Sequence, residues 1–301
     1  RVIDAAQVLI PNDREVLHIL PQEFIVDDQD GVQNPLGMAA ARLEVNVHIV
    51  TGSVTSAQNI IKCCNQSGLD VEDIVLEPLS SSQAVLSSDE QEVGVVLVDI
   101  GGGTTDVTVY SEGSIVHTAV LALGGNHLTH DIAIGLGAPL REAEEIKHKF
   151  GVAMASMVEE DEMIDVPSVG GRNNRTMQKR VLSSIIEDRF REIFELIAHE
   201  IKKTHFHTLM ASGVVITGGT CIMSGADRLA SKVLNLPVRV GYPENISGLR
   251  EMIYSPKYAT SVGLVRYGIT SNQGKLNFAG DDTNLFNKVS RRMKDWMQDF
   301  F

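Results

Sequence analysis

Stretches in which apolar residues alternate with polar ones are interleaved along the chain with stretches of helical period, the pattern of a mixed α/β protein. Period-2 patterning predicts strands over residues 16–26, with a break at Pro21, over 44–50, and over 71–76. A helix is expected over 55–67, where Ile60, Ile61 and Cys64 share a face and Gly68 provides the stop. A short helix follows over 79–87. Residues 93–100 form an almost continuous apolar run, as for a strand covered on both faces. Alternation returns over 106–110 and 114–120 around a Glu112-Gly113 turn, which predicts two successive hairpins. Helices are predicted over 126–136, 140–150 and, longest of all, 177–203. A short strand over 163–166 lies between loops. A strand (213–217), a helix (225–233), a strand (237–240), a helix (259–267) and a polar linker (270–283) complete the series.

Composition narrows the function classes. Acidic residues number 39 against 26 basic ones, a net charge of −13, which excludes a general nucleic-acid binder because few phosphate counterions could be released. The longest apolar runs, such as 93–98, fall far short of the roughly 20 residues needed to cross a bilayer. Cys63, Cys64 and Cys221 lack the spacing of a disulfide framework or a zinc site, which points to a reducing compartment.

The strongest chemical signal is the string Asp99-Ile100-Gly101-Gly102-Gly103-Thr104-Thr105-Asp106. Glycines let backbone amides approach a phosphate closely, and successive amides in a tight turn form an anion-binding nest. The hydroxyls of Thr104 and Thr105 can add donors, and Asp99 and Asp106 suit a hydrated Mg2+ beside those phosphates. Because a strand follows the turn and the loop has no lysine, a Walker loop and a dinucleotide fingerprint are both excluded. The plain alternative, a glycine-rich hairpin with solvated acids, accounts for the three glycines but not for the whole string. A second strand runs into a Gly-Gly turn at Val214-Val215-Ile216-Thr217-Gly218-Gly219-Thr220, where the backbone could pass close to a flat nucleoside.

These two turns resemble the second phosphate loop and the adenosine motif of the actin and hexokinase superfamily, and Ala143-Glu144-Glu145-Ile146-Lys147 is similar to a helix of bacterial actins. The resemblance implies an actin-like (ribonuclease H-like) ATPase fold, α/β, with two domains and inserted subdomains. It also implies ATP and Mg2+ as ligands. The nucleotide contacts would be Asp99, Gly101, Gly102, Gly103, Thr104, Thr105, Asp106, Thr217, Gly218, Gly219 and Thr220, with Glu144 at the ribose and Lys147 near the adenine or phosphates. Glu77 would fall where relatives position the attacking water, as the candidate catalytic residue. The superfamily's first phosphate loop has no counterpart in residues 1–98, so the chain, which opens at Arg1, is expected to be N-terminally truncated.

The last residues add a further signal. Leu285, Phe286, Val289, Met293, Trp296, Met297, Phe300 and Phe301 fall on one helical face, with Lys288, Arg291, Arg292 and Lys294 on its flanks or opposite side. A basic, aromatic-ended amphipathic helix behind a polar tether fits an interfacial anchor on an anionic membrane surface. An actin-like core with such a tail resembles the FtsA family of bacterial cell-division proteins, as do Pro21-Gln22-Glu23-Phe24, Asn34-Pro35-Leu36-Gly37-Met38 and Pro167-Ser168-Val169-Gly170-Gly171-Arg172.

The family resemblance implies a nucleotide-switched scaffold, at most a slow ATPase, that polymerises and tethers FtsZ filaments to the cytoplasmic face of the inner membrane at the division site, recruiting other division proteins. The C-terminal peptide of FtsZ would dock on residues 185–197, with Arg189 and Glu192 as contacts. The implied subdomains are 1C (1–44), 1A (45–97, returning at 251–269), 2A (98–135 and 206–250) and 2B (136–205), followed by the linker (270–283) and the amphipathic helix (284–301). Two alternatives share the core. A small-molecule kinase would need an aspartate base beside a polar pocket, and no obvious candidate is present. A pilus-assembly actin homologue would not be expected to carry the basic terminal helix.

Overall fold

The computed structural model describes residues 13–168, 174–204, 211–246 and 250–277. A three-stranded antiparallel sheet, ordered β2–β1–β3, is made by β1 (Arg14–Val26), β2 (Gln29–Val32) and β3 (Leu43–Ser53). The break expected at Pro21 does not occur. The strand runs through, because the register with β3 shifts between Pro21 and Glu23, and a proline is tolerated at such an irregularity. α1 (Val54–Gln66) follows, capped by the Ser53 hydroxyl, which accepts from the Ser56 amide. Residues 71–76 form no strand, contrary to their alternation. No sheet edge receives them, and the Leu76 amide donates to His18 Nε2 at 3.0 Å instead.

α2 (Glu77–Val85) begins with proline at its first turn, and α3 (Ser88–Val93) is closed by a capping box between Ser87 and Glu90. The central sheet then opens with the meander β4 (Val95–Ile100), β5 (Thr105–Ser111) and β6 (Ser114–Leu121). α4 (Gly125–Leu136) and α5 (Leu140–Phe150) lead to the small hairpin of β7 (Met163–Val166) and β8 (Arg175–Gln178), and to the long α6 (Lys179–Lys203). β9 (Val214–Thr217), α7 (Ala226–Leu234) and β10 (Val238–Val240) complete the sheet in the order β10–β9–β4–β5–β6, with β10, β9 and β4 parallel. α8 (Arg250–Ile253) and α9 (Ala259–Asn277) end the described chain.

Side-chain parity on this sheet decides where the acids go. Val96, Val98 and Ile100 of β4, with Val107, Val109, Val214 and Ile216, pack against Leu128 and Ile132 of α4, Phe190 and Phe194 of α6, and Leu229 of α7. Val95, Leu97, Tyr110 and Val215 face the other way, onto Ala84 and Val85 of α2 and Ala259 of α9. Asp99 shares the parity of Val95 and Leu97, and it pairs with Asp106 on β5 and Thr217 on β9. These three residues therefore lie at the carboxyl end of β4 on the α2/α9 face.

α9 runs to Asn277, into the stretch read as a linker. Polar residues can continue a helix already nucleated by packing. Residues 278–283 and the amphipathic segment 284–301, with all its expected membrane contacts, lie outside the described residues. Among the described residues no helix is long and apolar enough to cross a membrane.

Candidate functional site

Four residues, Gly101 to Thr104, join β4 to β5. The Gly101 carbonyl accepts from the Gly125 amide at 3.0 Å and from the Thr220 hydroxyl at 2.9 Å, and the Gly102 carbonyl accepts from the Asn126 amide at 2.7 Å. The first amides of α4, which no helix can satisfy internally, are thus engaged by the turn. No peptide bond in the described chain is cis, so each N–H points away from the carbonyl of its own peptide unit. The amides of Gly102 and Gly103 consequently face away from α4, and both residues are exposed. Two successive outward amides form a concavity suited to an anion.

The second glycine turn meets the first. Gly218 has φ +91°, and a Cβ there would lie 2.5 Å from both Asp99 Oδ1 and the Ile100 carbonyl oxygen. Conformation and proximity both require glycine at this position. The Thr220 hydroxyl bridges the two turns through its bond to Gly101. Gly219 is exposed beside them.

Asp99 and Asp106 are buried, at 4% and 7% exposure. Burial raises the Asp99 carboxyl to about 7, the Glu77 carboxylate adding to the effect against hydrogen bonds from Ser81 and Thr260. Burial and Glu77 likewise raise Asp106 to about 6, opposed by Thr104. The Thr260 hydroxyl lies 3.3 Å from Glu77 Oε1 and 3.4 Å from Asp99 Oδ2, and so links α9 to the cluster. Glu77, Asp99 and Asp106 concentrate carboxylate oxygens here, and such a donor set fits a hydrated divalent ion. Among the described residues no three of His, Cys, Asp and Glu are placed to hold a bare metal ion. Contact through water is the arrangement these oxygens suit.

The hydroxyls of two expected contacts, Thr105 and Thr217, are turned inward. The Thr105 hydroxyl donates to the Leu123 carbonyl at 2.8 Å, and that of Thr217 to the Gly241 carbonyl at 3.1 Å. On α5, Glu144 pairs with Lys147 at 2.7 Å and with His148 at 2.9 Å, and it also accepts from Thr129. Burial would raise Glu144, but the hydrogen bonds from Lys147 and Thr129 outweigh it and hold the carboxyl below its ordinary range. Arg189 and Glu192 pair with each other on α6, and Arg189 also clasps Asp131 of α4 through Nε at 2.5 Å and Nη2 at 3.1 Å. Together with Ile185 and Asp188 they line a surface depression of about 250 Å³. Sequence reasoning missed Ser81, Thr260 and the Gly124-Gly125-Asn126 run. Only the last carried a signal, a further pair of glycines just before a predicted helix.

Residues 96–263 match the family described as Cell division protein FtsA, and residues 1–51 match the SHS2 domain inserted in FtsA. Over its whole length the chain is 43% identical to the cell division protein FtsA of Pseudomonas aeruginosa, of which it covers 74%. The chain belongs to the FtsA family. Its fold is actin-like. MreB5 of Spiroplasma citri bound to ADP aligns with a TM-score of 0.61 at 18% identity, over 75% of this chain and 68% of that one. The PilM–PilN type IV pilus biogenesis complex aligns at 0.62 and 15% identity, over 88% of this chain and 69% of that one. Fold alone does not separate these proteins. FtsA membership does, in favour of a cell-division role over the phosphotransferase and pilus-assembly alternatives.

Proposed function

We propose that this FtsA-family chain binds ATP with Mg2+ at the joined glycine turns and uses the bound state as a switch for assembly. The observation that carries this reading is the pairing of inward Gly101 and Gly102 carbonyls with outward Gly102 and Gly103 amides. Those amides and the exposed Thr104 would receive the phosphates, and Gly218, Gly219 and Thr220 would flank the nucleoside. Glu144, 39% exposed at its side chain, would meet the ribose. Asp99 and Asp106 would hold Mg2+ through water, where the ion supplies charge neutralisation for the phosphates. Glu77, beside them, is the candidate for orienting water in a slow hydrolysis.

Fluorescence titration with an ATP analogue tests the site. Affinity should be about tenfold higher with Mg2+ than with a chelator, and Asp106→Asn should remove most of that difference. Equal affinity in both buffers overturns the metal role, and no binding in either overturns the nucleotide site.

The same reading places the protein at the cytoplasmic face of the inner membrane, with no nucleic acid among its partners. Residues 284–301 would anchor it, the face bearing Arg189 and Glu192 would take the FtsZ C-terminal peptide, and self-assembly would multiply weak anchors by avidity. Other division proteins would join this tether. Removing 284–301 should abolish sedimentation with anionic vesicles while leaving the thermal unfolding transition of the core in place; undiminished sedimentation refutes the anchor.

A further inference from the structure

Lys147, on α5, is buried at 9% exposure. Its ammonium has three N–H donors, and three acceptors surround it inside the protein. They are the Gly125 carbonyl at 3.0 Å, the Thr129 hydroxyl at 2.9 Å and the Glu144 carboxylate at 2.7 Å. Thr129 is itself buried, and its hydroxyl donates onward to Glu144. Gly125 and Thr129 stand on successive turns of α4. The Gly125 amide holds the Gly101 carbonyl, and the next amide, of Asn126, holds that of Gly102.

We infer that Lys147 and Thr129 are positioning residues for the glycine turn: they pin the first turn of α4, whose amides orient the Gly101 and Gly102 carbonyls and thereby aim the Gly102 and Gly103 amides. The inference rests on the reading of that turn as a phosphate site, and it gives Lys147 a role other than contact with the nucleotide. A lysine reaching a ligand would keep a donor free, whereas here each donor has a partner. The positive charge is also met at once by Glu144, so little of it is left to attract a polyanion. Space at the junction is tight as well, since a Cβ on Gly125 would lie 2.5 Å from Thr220 Oγ1. Small displacements of α4 must therefore reach both glycine turns.

The test uses the full chain with Lys147→Met, Thr129→Val and the conservative Thr129→Ser. Hydrogen exchange of the Gly101, Gly125 and Asn126 amides in the ligand-free protein is the first readout, with the amides of β9 as the control for global folding. Lys147→Met and Thr129→Val should each speed exchange at the three amides by roughly tenfold and leave β9 protected, and Thr129→Ser should behave as the parent. ATP affinity is the second readout, and the two losses should overlap rather than add in the double variant, as for one unit. A Thr129→Val protein with parental exchange and parental affinity overturns the inference, most directly if Lys147→Met alone loses affinity. If the parent binds no ATP, the nucleotide reading fails by itself, and the exchange rates still decide whether the two side chains hold the turn.

Discussion

Replacing Asp99 by asparagine should make the magnesium-free protein more stable above pH 7. The Asp99 carboxyl titrates near 7 in the folded chain against an ordinary value of 3.8. Between those values the folded state keeps a proton that the unfolded state has released, so stability falls as pH rises and the whole cost is present above 7. The gap corresponds to roughly 4 kcal/mol, and residual solvent access brings the expected gain to about 3 kcal/mol. Asparagine cannot ionise, and its amide can keep hydrogen bonds with the Ser81 and Thr260 hydroxyls. Urea midpoints in chelator at about pH 3 and about pH 8, below and above both values, check this. The variant should match the parent at the lower pH and exceed it at the higher. A parent whose stability is flat across the interval, or a variant weaker at the higher pH, contradicts the account. On the function proposed above, the charge that destabilises the ligand-free protein is the one a hydrated cation would neutralise.

Gly263→Ala should cost about 3 kcal/mol or more, at the upper end of overpacking effects. Gly263 lies on α9 where that helix crosses α2, and a Cβ there would overlap the Ser80 carbonyl oxygen and come within 2.9 Å of Ser80 Oγ. A backbone carbonyl cannot swing aside as a flexible side chain can, so the helices must separate. Separation would break the bond from the Ser80 hydroxyl to the Thr260 carbonyl, 2.7 Å in the parent, and would draw Thr260 away from Glu77 and Asp99. Gly268, on the same helix, has nothing within 4 Å of its would-be Cβ. Gly268→Ala should therefore stabilise by about 0.5–1 kcal/mol through helix propensity alone. Denaturant midpoints of the two variants measured side by side decide the matter, and equal effects would refute the close crossing.

Legibility in the sequence followed how local each feature is. The string from Asp99 to Asp106 contains its own strand ends, turn and acids, so its shape and chemistry can be read together. Helix α6 is legible because Leu182, Ile186, Phe190, Ile193 and Ile197 repeat along one buried stripe. α3 is not, because Ser-Asp-Glu-Gln-Glu has no apolar stripe; its start lies in the Ser87–Glu90 box and its stop at Gly94. Within the site, residue type shows a donor without showing its partner. Thr105 offers a hydroxyl donor by its place in the string, yet that hydroxyl serves Leu123, as the hydroxyl of Thr217 serves Gly241. Arg189 reads as a free surface contact until α4 brings Asp131 against it. Thr260 and Ser81 carry no pattern at all, since they matter only through the α2–α9 crossing.

The pairing of Asp99 with Asp106 imposes a rule of length on the hairpin. Side chains alternate strictly along β5, so sliding it by one position would send Asp106 toward Phe190 and turn Val107 to the α2/α9 face. Sequence drift inside the loop is tolerable wherever amides suffice, but a single inserted residue is not. The tip behaves as a parity lock, free in composition and fixed in count.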